Sequence, residues 1–212
     1  PKNIRKKYGQ FFTSKETAIF MAELMNIPTD KEVISVLDPG AGSGILSVAL
    51  VERLLAFTAI KRIELVCYEN DPNILNLLRS NLEWMCTQTS KRVVYRIVSE
   101  NYILSQMADY NFMSDANSSP FKYDLIVGNP PYMKIAKDAP EALAMPDICY
   151  GAPNLYFLFA TMSLFNLKEN GEMVYIIPRS WTSGAYFTRF RKRFLKEGIL
   201  EHIHLFVRRD KV

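Results

Sequence analysis

Apolar residues recur along the chain with two periods. Over residues 14–26, Ala18, Phe20, Met21, Leu24 and Met25 share one stripe at helical spacing, with Ser14 in the N-cap position and Thr17 in the first turn. This pattern predicts a helix with one face on a core. Short runs rich in β-branched residues then recur at 33–37, 63–68, 93–98, 125–127, 173–177 and 202–206, which predicts six strands. Helical stretches fall between or after them, at 45–57, 73–85, 155–167 and 187–197. Strands and helices alternating at this length predict an α/β fold, a mostly parallel twisted sheet with helices on both faces, because right-handed crossovers leave few other arrangements. Segments 110–122 and 133–153 carry Ser, Asn, Asp and Pro without clear periodicity and read as loops. The second is long enough to move over a site.

Composition narrows the class. With 212 residues, 49% apolar and 23% charged, the chain can bury one substantial core, and a single domain over residues 1–212 is expected. No apolar run is long enough to span a bilayer, and the N-terminal residues lack the apolar centre of a signal peptide, so a soluble cytoplasmic protein with no membrane partner is expected. Cys67, Cys86 and Cys149 are far apart and in no CxxC spacing, and only His202 and His204 are available to join them. Free thiols and no metal site are expected.

The net charge of +4 is modest but unevenly spread. Lys2, Arg5, Lys6, Lys7 and Lys15 crowd the start, and Arg179, Arg189, Arg191, Lys192, Arg193, Lys196, Arg208, Arg209 and Lys211 crowd the end. Taken alone, RFRKRFLKEG reads more simply as a solvated helix face. Contact with nucleic acid becomes the better reading if both stretches lie on one side of the fold.

Three segments carry chemistry. The first predicted strand leads into Asp38-Pro39-Gly40-Ala41-Gly42-Ser43-Gly44 and then a helix. Glycines permit a tight strand-to-helix turn and let a ligand approach the backbone. A dinucleotide site would hold pyrophosphate there, yet the spacing is GxGxG and Asp38 immediately precedes it. A ligand with a cationic, phosphate-free centre suits this loop better, and S-adenosylmethionine carries a sulfonium and an ammonium. In isolation a purely structural turn is an equal alternative. The second predicted strand ends in Glu69-Asn70-Asp71-Pro72, placing a carboxylate where nucleoside-binding sheets accept ribose hydroxyls. Capping of the following helix is the alternative, and it suits Asp71 better than Glu69. One strand further, Asn101 offers a polar side chain where the adenine edge of such a cofactor would lie.

The third segment, Asn129-Pro130-Pro131-Tyr132, follows the fourth predicted strand. Two prolines fix φ twice and remove two backbone donors, leaving a stiff loop whose carbonyls accept from elsewhere. Asn129 adds a side-chain carbonyl, Pro130 a backbone carbonyl and Tyr132 a flat aromatic face. Two acceptors converging on an amine, beside a ring on which the same base stacks, suit a nucleobase with an exocyclic amino group. A plain turn needs no ligand, but the loop's place at the carboxyl edge, in line with the Gly loop and Glu69, argues against one.

With these motifs together, the chain resembles the N6-adenine DNA methyltransferases of restriction-modification systems, in the class whose cofactor motifs precede the catalytic motif. The resemblance covers nearly the whole chain and implies a Rossmann-like S-adenosylmethionine-dependent methyltransferase fold. It implies an N-terminal cofactor segment over residues 1–30, in which Gly9-Gln10-Phe11-Phe12-Thr13 closes over the methionine moiety with Thr13 in contact. Asp38, Pro39, Gly40, Ala41, Gly42 and Gly44 would line the methionine side, Glu69 and Asn70 the ribose. Asn129 to Tyr132 would form the catalytic loop, with Asn129 also touching the cofactor. Ile177-Pro178-Arg179-Ser180-Trp181 and the 202–206 run would border the flipped base, with Phe206 stacking on the face opposite Tyr132.

The resemblance also sets out departures and partners. Where many members carry an Asp against the cofactor's adenine amine, this chain has Asn101, whose oxygen accepts without charge. The implied partners are DNA and a restriction endonuclease or specificity subunit, and the family's separate target-recognition domain is expected to be absent from these residues. The alternatives are an amino methyltransferase acting on RNA or on protein glutamine, and a non-catalytic S-adenosylmethionine-binding module of a larger complex. The GQFFT and PRSW segments resemble the DNA enzymes specifically.

Overall fold

The computed structural model describes residues 13–90, 92–111 and 122–206. Helix α1 (Lys15–Glu23) starts as predicted, with Ser14 Oγ accepting from the Thr17 backbone N–H. Five strands follow: β1 (Val33–Asp38), β2 (Arg62–Tyr68), β3 (Val93–Val98), β4 (Tyr123–Gly128) and β5 (Leu167–Tyr175). All pair in parallel, in the order β3-β2-β1-β4-β5. The connections run through α2 (Ile45–Leu55), α3 (Pro72–Gln88), α4 (Tyr102–Asn111), the short α5 (Pro140–Ala144) and α6 (Leu155–Phe165), and α7 (Thr188–Glu197) follows β5. β4 is buried along its whole length and β1 along all but its first residue, which is why both read as continuous apolar runs. One apolar cluster joins α1, α2 and α3 to the sheet, and a second joins α4, α6 and α7 to its other face. α6 is apolar on every side and is almost wholly buried. Among the described residues no helix is long and apolar enough to cross a membrane.

The chain steps outward from β1 to β3 and then returns to β4 on the other side of β1. That reversal makes the β1–β4 junction the topological switch point, where crevices open at the carboxyl ends of parallel strands. The two strands pair only at Val36–Leu125 and Leu37–Ile126. At the amino end they are knitted together by Asp124, whose side chain is 2% exposed. Its Oδ1 accepts from Lys31 Nζ at 2.6 Å, and its Oδ2 from the Ser35 N–H (2.9 Å), Ser35 Oγ (2.6 Å) and Lys168 Nζ (2.9 Å). Burial alone would push this carboxyl up, but the bonds from Lys31, Ser35 and Lys168 outweigh it and hold the group well below the usual carboxylate range.

Four expectations need correction. Helix α4 was not predicted; it begins where Asn101 Oδ1 accepts from the Leu104 N–H, and it buries Tyr102, Ile103 and Tyr110. The predicted loop 133–153 contains α5. The sixth strand, 202–206, does not form: these residues have no regular structure, and Ile203 and Leu205 are exposed. A β-like pattern becomes a strand only with a hydrogen-bonding neighbour, and the sheet of described residues stops at β5. β5 in turn begins earlier than predicted. Its first half is masked in sequence by Asn170, at φ 58°, and Gly171, where the register against β4 shifts.

Candidate active site

Asp38 ends β1 fully buried. Its Oδ2 accepts from Ser47 Oγ at 2.7 Å, whereas Oδ1 is buried without a hydrogen-bond partner among the described residues. Burial pushes the carboxyl up to about 7; the Ser47 hydroxyl and the Gly40 backbone N–H oppose this, and the nearby Glu69 charge adds to it. An orphaned buried carboxylate oxygen is costly, and a cationic donor would relieve it. After Asp38 the chain turns sharply, with the Ala41 N–H donating to the Tyr68 carbonyl (2.9 Å) and the Gly42 N–H to Glu69 Oε2 (2.9 Å). Gly42 has φ 54°, and a Cβ built there would meet nothing within 4 Å, so open space lies over the loop. Gly44 differs: a Cβ there would come within 2.8 Å of Leu78 Cδ1, so its role is packing of α2 on α3. Pro39 and Ala41 are buried and Gly40 is half-buried.

Glu69, at the end of β2, is 8% exposed. Its two oxygens accept from the Gly42 and Asp71 N–H groups at 2.9 and 2.8 Å, and burial pushes its carboxyl up. Each carboxylate oxygen keeps a further lone pair for an incoming hydroxyl. Capping of α3 falls to Asp71, whose Oδ1 accepts from the Asn73 N–H (2.9 Å), while Asn70 is exposed beside it.

Across the crevice, Asn129 follows β4 directly. Its Nδ2 donates to Thr13 Oγ1 at 2.9 Å, tying the residue before α1 to the Asn129–Tyr132 loop. Its Oδ1 accepts from the Tyr132 hydroxyl at 2.7 Å, and that hydroxyl also lies 2.8 Å from the Ile176 carbonyl. Burial pushes the Tyr132 hydroxyl up, so it stays protonated and serves as a donor. Pro130 is buried, and the residues beyond Tyr132 are tied to the start of α6 by Leu155 N–H to Met133 O and Ile135 N–H to Pro153 O, both 2.8 Å. The carboxyl ends of β1 and β2 therefore carry the Asp38 and Glu69 carboxylates, and the chain leaving β4 carries the Asn129 side-chain oxygen.

Residues 56–212 match the model of the Eco57I restriction-modification methylase family. The chain belongs to this family. It is 33% identical over 206 residues to the Type II methyltransferase M.PstI of Providencia stuartii, covering 96% of this chain and 39% of that protein. It is 30% identical over 211 residues to the Type II methyltransferase M.BsuBI of Bacillus subtilis, covering 98% of this chain and 41% of that protein. The chain thus spans about two-fifths of the length of these relatives. Among solved structures, the type I restriction-modification methyltransferase subunit of Streptococcus thermophilus superposes with a TM-score of 0.62 at 18% identity, over 88% of this chain and 38% of that one. Together with the strand order, this establishes the Rossmann-like methyltransferase fold that the sequence predicts.

The fold does not bring every predicted residue to the β1–β4 switch point. Phe206 packs edge-on against Phe20 of α1, ring centroids 6.1 Å apart, while the Tyr132 ring meets Tyr156 edge-on at 6.3 Å. Among the described residues no ring contact joins Phe206 to Tyr132. Residues 9–12 of the GQFFT segment lie outside the described residues. In α7, Arg191 donates to the carbonyls of Trp181 (2.9 Å) and Gly184 (3.0 Å), and Arg193 pairs with Asp147 and Glu197. These two arginines hold their own surroundings, leaving Lys192 and Lys196 exposed. Three contributors escaped the sequence reading: Ser47 on Asp38, Asn81 with Nδ2 on the Ser43 carbonyl (2.8 Å), and Glu141 on Asn101. None carries a local signal.

Proposed function

We propose that residues 1–212 form the catalytic domain of a DNA adenine methyltransferase of a restriction-modification system, acting on N6 of a flipped-out adenine. The observation that supports this reading best is the pair of strand ends at the β1–β4 switch point, one carrying Asp38 with Oδ1 buried and without a hydrogen-bond partner among the described residues, the other leading into Asn129, whose Oδ1 accepts from Tyr132. The residues fit S-adenosylmethionine: Asp38 Oδ1 awaits a cation, the space over Gly42 admits a ligand, and Glu69 keeps capacity for ribose hydroxyls. When bound, this cofactor supplies a methyl group made electrophilic by its sulfonium.

The chain's own residues prepare the amine. Adenine's exocyclic nitrogen is a poor nucleophile because its lone pair is delocalised into the ring. Accepting its two hydrogens at Asn129 Oδ1 and the Pro130 carbonyl favours a tetrahedral nitrogen and localises that pair. Thr13, by accepting from Asn129 Nδ2, fixes the amide so that Oδ1 is the atom presented. The Tyr132 hydroxyl occupies Oδ1 in the free chain, so an incoming amine displaces it. The Tyr132 ring stacks on the extruded base, at about 1–3 kcal/mol, against an extrusion cost of a few. After transfer the nitrogen loses its surplus proton to solvent. No thiol takes part.

The test is transfer of labelled methyl by the full-length protein offered duplex DNA, RNA or protein. Label is expected on adenine N6 of DNA. Label confined to RNA or to glutamine side chains, or bound cofactor with no transfer, would overturn the reading.

The pH dependence of cofactor binding offers a second check. Asp38 titrates near 7 in the free chain, and a cation against Oδ1 favours the ionised form. Below pH 7 binding must therefore expel a proton, and affinity is expected to fall about tenfold per pH unit, levelling off above 7. Calorimetry in two buffers of different ionisation enthalpy counts that proton. Flat affinity from about pH 5.5 to 7, with no proton released, would show that cofactor binding is not coupled to ionisation of Asp38.

A further inference from the structure

Asn101 stands at the carboxyl end of β3, one strand beyond Glu69, where the base of a nucleoside held at Glu69 comes to lie. Both of its polar side-chain atoms are already engaged. Oδ1 accepts from the Leu104 N–H at 3.1 Å, capping α4, and Nδ2 donates to Glu141 Oε1 at 2.7 Å. Glu141 arrives from α5, in the segment that leads away from Tyr132, and it is half-buried. Among the described residues its Oε2 makes no hydrogen bond. The negative charge at this corner therefore sits on Glu141, and Asn101 aims it.

We propose that Glu141 is the acceptor for the exocyclic amine of the cofactor's adenine, with Asn101 as its positioning residue. The proposal rests on the S-adenosylmethionine reading above. A carboxylate accepts from an amine through a shorter and stronger bond than a neutral amide already committed to a helix cap. It also ties the cofactor's base to the chain that follows the catalytic loop, so cofactor binding steadies that segment. The alternative role for Glu141, an acidic residue in the first turn of α5 favoured by the helix dipole, requires no ligand and predicts no base preference.

The experiment uses calorimetry with two probes, S-adenosylhomocysteine and its inosine counterpart, in which a carbonyl replaces the amine. Wild type is expected to prefer the adenine probe by at least about tenfold, since the carbonyl faces a carboxylate. Glu141→Gln keeps an oxygen for Asn101 and should leave the thermal midpoint unchanged. It should weaken the adenine probe about tenfold and strengthen the inosine probe, whose carbonyl then meets an amide N–H in place of a carboxylate, and Glu141→Ala should erase the preference. Equal affinity of wild type for the two probes, or a preference unchanged in both variants, overturns the assignment to Glu141 while leaving the cofactor reading intact. Failure of wild type to bind either probe overturns that reading and this assignment together.

Discussion

Replacing Asn129 by Ala is expected to slow single-turnover methyl transfer by about 10²–10³, the scale seen when one preorganised hydrogen-bonding group is removed from a reacting centre. Cofactor affinity should change little, because the deleted oxygen is needed most as the amine becomes tetrahedral. The fold should survive the change. It removes the bonds to Thr13 and Tyr132, while the Tyr132 hydroxyl keeps the Ile176 carbonyl. Tyr132→Phe is the companion variant. It retains the ring and removes only the hydroxyl that donates to Asn129 Oδ1, so transfer should remain close to wild type. Tyr132→Ala loses the stacking surface, and a 2-aminopurine at the target position should then report a less well-held base. The measurement is single-turnover transfer in the full-length protein, set beside cofactor affinity for each variant. Near-normal transfer by Asn129→Ala would reduce Asn129–Tyr132 to a turn and end the adenine reading.

The parts of this site that are legible in sequence are those whose chemistry is local. Asp38 to Gly44 and Asn129 to Tyr132 are contiguous, and each combines backbone constraint with a reactive side chain in one short segment. Strands β1, β2 and β4 are legible for a similar reason, since buried parallel strands concentrate apolar residues in short runs, whereas the edge strand β3 is legible from its β-branched residues. Helix α4 was not legible. Its buried residues Tyr102, Ile103 and Tyr110 make no ladder at three- and four-residue spacing, and its start depends on the Asn101 cap. Glu141 meets Asn101 across 40 residues and Asn81 meets Ser43 across 38, separations at which no pattern along the chain speaks. The basic run of α7 misleads in the opposite direction. Arg191 and Arg193 look free in sequence and are spent on carbonyls and carboxylates in the fold. The 202–206 run shows the same limit for strands, because pairing needs a neighbour that the pattern itself does not supply.

Asp124→Ala is expected to destabilise the fold by about 3 kcal/mol, near the lower end for breaking a buried ion pair, because both lysine partners are partly solvated. The Lys31 and Lys168 side chains are 40% and 41% exposed, so they can turn to water once Asp124 is gone. What cannot turn away is the Ser35 hydroxyl, which is buried and would lose its carboxylate partner. The damage bears on function because Asp124 clamps the closed end of the crevice. Only two residue pairs join β1 to β4 beyond it, and the positions of Asp38 and Asn129 depend on that short ladder. Asp124→Asn keeps the shape and should cost less, about half as much, by retaining a neutral acceptor for Ser35. The pH dependence carries the sign of a depressed carboxylate. Its stabilisation is present above the unfolded value near 4 and is lost as pH falls from there toward the much lower folded value. Urea unfolding of wild type and Asp124→Ala at a series of pH values should therefore give a wide gap at pH 7 that narrows steadily below about pH 4. A gap under about 1 kcal/mol at pH 7, or one that does not narrow in acid, would show that Asp124 is not the clamp.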